Sequence, residues 1–189
     1  MKIHRTAATG TYLAALSLAA LTLTGCGDQA DKTPDVSATN SEAPTAIFPA
    51  SLFASAAPAD FLPLLAAKTD AKPDTRVVFE ARIGGSRDPF VENRAVFFVA
   101  DPSLADCDTI EEDHCKTPWD YCCEPQDNKR KHMATVQVVD AGGQPLKLSL
   151  QGEHGLTPGV TVYISGTVEQ VDDAGNFVVN ADSIYVKES

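Results

Sequence analysis

The chain has 189 residues, 43 % of them hydrophobic and 22 % charged, and its 26 acidic against 15 basic side chains leave a net charge of −11. That length holds one domain with a tail. The acidic balance argues against nucleic acid and against electrostatic attachment to anionic lipid, both of which need clustered Lys and Arg, and leaves cations or basic partners.

Residues 1–25 have the order of an export signal. Lys2 and Arg5 supply a positive start, and Thr6 to Thr24 is apolar and rich in Leu and Ala. A run of that length also suits a retained membrane-anchor helix. The tetrapeptide Leu23-Thr24-Gly25-Cys26 separates the two readings, because it resembles the lipobox of bacterial lipoproteins: an aliphatic residue, two small ones, then cysteine. The resemblance implies that Cys26 receives a diacylglyceryl group, that the signal is cut just before it, and that the new amino terminus is acylated. Several acyl chains hold a protein on a bilayer where a single one does not. The implied place is the cell envelope. Gly27 after the cysteine leans toward the outer membrane by resemblance to enterobacterial sorting.

Residues 26–75 begin with the lipidated cysteine and continue as a tether expected to be disordered. From 27 to 75 there are six prolines and twelve alanines with Ser, Thr and Asp between them, a composition that buries too little apolar surface to offset its ordering entropy. As a flexible coil this length spans roughly 35–42 Å. Ile47-Phe48, Leu52-Phe53, Phe61-Leu62 and Leu64-Leu65 depart from that composition. They dock on the domain, stay loose or bind a partner, and a short helix around Ala59–Ala67 would carry Pro63 in its first turn.

The folded domain is expected over 76–189. Val77, Phe79, Ala81 and Ile83 alternate with polar or smaller residues up to Gly84-Gly85, a half-buried strand. Arg94 to Asp101 is a continuous apolar run, read as a strand covered on both faces. Thr135–Asp140 and Leu146–Leu150 form a hairpin about Ala141-Gly142-Gly143-Gln144. Val160, Val162, Ile164 and Val168 share one face of the next strand, where Gly166 allows a sharp bend. Phe177–Val186 is the last strand, and no segment has a convincing helical period. The fold class is all-β, five or six strands in a small barrel. The succession VVFEARIGG, RAVFFVAD, VTVYISGTVEQ, NFVVNADSIYV resembles an OB-fold of the anticodon-binding-like group. The helix that group places between its third and fourth strands has only Gly152 to Gly159 available.

Between the second and third of the strands shared with that group lies a cysteine-rich insert, 102–132. Cys107, Cys115, Cys122 and Cys123, with His114 and the only tryptophan, Trp119, fall within seventeen residues. This block, with RIGG and TPWDYCC, also resembles a set of exported bacterial proteins of unknown role. Outside the cytoplasm disulfides persist. Adjacent cysteines rarely bond each other, so the expected pairings are Cys107–Cys122 with Cys115–Cys123, or Cys107–Cys123 with Cys115–Cys122. Closing such a loop contributes about 3 kcal/mol in the chain-entropy model. The rival is a zinc or copper site built from the same four thiols with His114 and His132. Its spacing is unfavourable: seven, six and no intervening residues, where a structural zinc site favours pairs two to four apart. Redox catalysis lacks a C-x-x-C.

The acidic residues of the insert read as a solvated face, with no calcium-loop pattern among them. Lys129-Arg130-Lys131-His132 is the one basic cluster and would neutralise that face. Trp119 and Tyr121 are expected to pack over the sulfurs. No nucleophile elbow, P-loop, H-E-x-x-H or dinucleotide fingerprint occurs. The expectation is a lipid-anchored envelope protein, not an enzyme, whose OB-like module binds a small ligand or an envelope protein without a cofactor. The alternative is a metal-binding or redox protein using the cysteine block. Nucleic-acid binding rests on fold analogy alone.

Overall fold

A computed structural model describes residues 47–107 and 115–188. Five strands close a barrel: β2 (Arg76–Ile83), β3 (Val96–Ala100), β4 (Met133–Gln137), β5 (Thr161–Val171) and β6 (Phe177–Val186). A two-residue strand, β1 (Leu62–Pro63), lies parallel to β2 at Phe79 and Glu80. The barrel order is β2-β3-β4-β6-β5, and β5 returns to β2. Neighbours are antiparallel except β4 and β6. That closure is OB-like and leaves no free sheet edge in the barrel.

Inward residues follow the expected alternation. Phe79, Ala81 and Ile83 of β2, Val162, Ile164 and Val168 of β5, and Phe177 and Val179 of β6 are buried together. Gly166 lies where β5 and β6 shift register. A Cβ there would stand 2.3 Å from the Asn180 carbonyl, so glycine permits the close approach. In β3 the expected covering of both faces is only partial: Phe97 and Val99 are buried, whereas Val96 and Phe98 are half-buried.

Three expectations change. Residues 47–75, expected within the tether, pack on the barrel. Leu52 and Leu64 are wholly buried, and Ala54 N–H donates to Ile184 O while Ile184 N–H donates to Leu52 O. Spaced apolar residues capping an open barrel end outweigh a composition that is tether-like on average. The helix α1 (Leu64–Thr69) begins just after Pro63 and puts Leu64 and Ala67 into the core. Second, Leu146–Leu150 is not a strand. The turn forms, with Gly142 and Gln144 N–H groups donating to Asp140 Oδ1. Pairing is limited to a bridge between Val139 and Pro145, flanked by Asp140 N–H to Gln144 O and Leu146 N–H to Val138 O, after which Leu146 O accepts from Ala95 N–H instead. Leu150 instead enters the core. Third, a helix α2 (Gln126–His132) forms inside the insert. It buries no side chain, hence no apolar period, and its last turn gathers Lys129, Arg130, Lys131 and His132, where cations favour the helix dipole. Among the described residues no helix is long and apolar enough to cross a membrane.

Candidate metal centre

Each half of the insert is moored to the barrel before it presents a cysteine. After β3, the buried Asp101 carboxylate accepts from Ser103 N–H at 2.9 Å, Ser103 Oγ at 2.5 Å and, from α1, Leu65 N–H at 2.6 Å. Three residues beyond Asp101, Leu104 is buried, and Asp106 pairs with the Arg82 guanidinium of β2. Cys107 therefore follows a fixed turn and is itself 1 % exposed.

The second half runs from Cys115 to Cys123. Thr117 Oγ1 donates to Asp120 Oδ2 at 2.9 Å across a single helical turn, Pro118–Asp120. Asp120 Oδ1 accepts from Cys122 N–H at 2.8 Å. These bonds hold the Asp120 carboxyl below its usual range, against the opposing effect of partial burial. Between Asp120 and Cys122, Tyr121 has left-handed backbone angles (φ 52°, ψ 42°) and is completely buried with Ala100 and Leu104. A buried aromatic ring over-determines a conformation that a bulky residue otherwise avoids. It turns the chain so that Cys122 and Cys123 face back toward Cys107.

Glycine at the end of β2 admits this loop. Gly85 N–H donates to Trp119 O at 2.7 Å, and a Cβ on Gly84 would lie 2.3 Å from that oxygen. The RIGG and TPWDYCC runs are thus two sides of one contact. From α2, Lys129 Nζ donates to Asp120 O at 2.7 Å. Trp119 stays half-buried, with its indole N–H donating to Arg87 O at 3.0 Å.

The sulfurs converge. Cys107 Sγ lies 3.8 Å from Cys122 Sγ and 3.9 Å from Cys123 Sγ, and Cys122 and Cys123 are 3.9 Å apart. Cys115 Sγ and an Asp120 carboxylate oxygen lie with Cys107 and Cys122 so that all four ligand atoms fall within 4.8 Å of one another. Neither expected disulfide pairing is at bonding distance: a disulfide would bring two sulfurs to about 2.05 Å, and these stand 3.8–3.9 Å apart. The reason is geometric, three sulfurs meeting at one spacing rather than in pairs. A tetrahedral centre with metal–sulfur bonds of about 2.3 Å spaces its sulfurs about 3.8 Å apart, so the triangle matches the face of such a site. Spacing along the chain argued against this, but the left-handed Tyr121 provides the bend that adjacent cysteines need.

Burial raises the Cys107 thiol pKa, and contact with the Cys107 thiol, then Asp120, raises that of Cys122. His132 Nδ1 faces Asn128 O at 2.9 Å and does not join the sulfur group. His114 and Cys26 lie outside the described residues. Asp120, which the sequence reading placed only among the loop acids, proves central, and its place two residues before Cys122 was the available signal.

A separate cleft of about 280 Å³ opens against α2, lined by Phe98, Met133 and Phe177 with Lys129 and Arg130. Comparison with protein-family models, with curated proteins and with solved structures gave no match.

Proposed function

We propose that this protein is an exported, lipid-anchored, non-catalytic OB-like module that holds one soft or borderline metal ion, zinc(II) or copper(I), between Cys107, Cys115, Cys122 and Cys123. The observation carrying this reading is the Cys107–Cys122–Cys123 triangle with edges of 3.8–3.9 Å. Thiolates are the ligands these ions prefer. Both Asp120 oxygens already accept hydrogen bonds, so its role is to set the turn that aims Cys122. Export rests on the sequence from Lys2 to Cys26; acylation of Cys26 leaves four thiols for the metal. Elemental analysis and thiol titration of protein purified without added metal test the reading. About one zinc or copper per chain, with the four thiols reacting fully only after chelation, is the expected result. Two disulfides and no metal would overturn it.

A second reading, capture of a small ligand, is favoured by the cleft beside α2. Its apolar floor and the neighbouring Lys129 and Arg130 suit an anion with an apolar body.

A further inference from the structure

Resting on the metal reading, we infer that the centre is an exchange site, which passes its ion by direct ligand substitution to an acceptor bearing thiolate or thioether groups. A structural zinc site is closed on all sides. Here burial falls steeply across the ligand set: Cys107 is 1 % exposed, Cys115 is half-buried, and Cys122 and Cys123 are exposed. The two exposed sulfurs are consecutive and form one edge of the triangle, 3.9 Å long. An incoming ligand can therefore reach the ion from the solvent side while Cys107 still holds it from beneath.

Exposure orders the ligands: the solvent-edge pair, Cys122 and Cys123, is displaced first and the buried Cys107 last. In the substitution the acceptor thiol loses its proton and its sulfur bonds to the ion. The bond between the ion and one thiolate of the pair breaks, and that thiolate takes up a proton. The oxidation state of the ion does not change. Repetition at the other cysteines, Cys107 last, completes the transfer.

The test loads the full chain with zinc, confirms the stoichiometry by elemental analysis, and follows release in a stopped-flow spectrometer. The chromogenic chelator 4-(2-pyridylazo)resorcinol is held constant while 2-mercaptoethanol is varied. Direct substitution makes the release rate rise in proportion to thiol, about tenfold over a tenfold range. A rate independent of thiol means that the ion departs before the acceptor binds, and overturns the inference while leaving the metal reading standing. A chain that takes up no zinc overturns both. The variant Cys123→Ser should retain zinc and release it at least several-fold faster, whereas Cys107→Ser should lose zinc affinity by more than 100-fold; the reverse ranking also counts against the scheme. The wild-type rate law decides the matter even if a variant misfolds.

Discussion

Tyr121 concentrates the cost and the purpose of the insert in one residue. Its ring is completely buried in a left-handed turn, while its hydroxyl is buried without a well-formed hydrogen bond among the described residues. Tyr121→Phe should therefore change stability by less than about 1 kcal/mol in urea unfolding, since the hydroxyl lies beside the Arg82 guanidinium without completing a hydrogen bond. Tyr121→Ala should cost about 3–5 kcal/mol in urea unfolding and scatter the sulfurs, which under the proposed metal reading would appear as lost retention of added zinc. A different residue sets an acid response. Asp172 accepts from Asn176 N–H at 3.0 Å, Asn176 Nδ2 at 2.8 Å and Gln170 Nε2 at 3.0 Å, and these bonds lower its pKa. A carboxyl whose folded pKa lies below its unfolded value, about 3.9, contributes its stability above that value. The contribution is lost as pH falls through the lower folded pKa. Asp172→Asn should flatten the decline in melting temperature below about pH 4 and leave the neutral region little changed.

At the scale of elements, α1 matters more than its six residues imply. Lys68 Nζ donates to Arg130 O at 2.9 Å, Met133 O at 3.0 Å and Gly175 O at 2.8 Å, so one ammonium ties α1 to α2, to the start of β4 and to the β5–β6 turn. All three of its protons are used. Lys68→Met keeps the stem and removes those bonds, and an expected loss of about 2 kcal/mol would appear in urea unfolding. The same connection moors the helix whose Lys129 holds the cysteine turn, so under the proposed metal reading the variant should also release added zinc faster. Residues 47–75 form a structural layer of the barrel. A chain starting at Arg76 lacks Leu52 and Leu64, each wholly buried. Loss of a buried leucine side chain costs about 2–5 kcal/mol. That chain should melt well below one starting at Ile47, or aggregate.

For the whole molecule, charge and scaffold point in different directions. OB-like barrels often receive single strands, yet residues 76–189 carry 10 basic and 19 acidic side chains, a net of −9. Counterion release requires clustered cations along a groove. Lys129, Arg130 and Lys131 are a small set, and Lys129 is already committed to Asp120. Filter binding or fluorescence anisotropy at 150 mM salt should show no measurable affinity for a single-stranded oligonucleotide. A clear isotherm would reverse that assignment.

The all-β class, the inward residues of β2 and β5 and the bend at Gly166 were legible in the residues themselves. A period of two and a bend needing glycine are local properties of the chain. The cysteine block was equally visible as the candidate site. The meeting of its sulfurs was not, because spacing along a chain gives the sulfur arrangement only when the intervening backbone is regular. Here a left-handed tyrosine, a carboxylate that captures Cys122 N–H and two glycines just past the end of β2 bring distant thiols to one spacing. Docking of the apolar residues of 47–75 was one of the open readings and not the decided one, for a related reason: a few leucines in a proline- and alanine-rich run look like a tether until a barrel end exists for them to close. Local patterning determined the strands, while the convergence of the sulfurs and the true start of the domain depend on contacts between segments far apart in the chain.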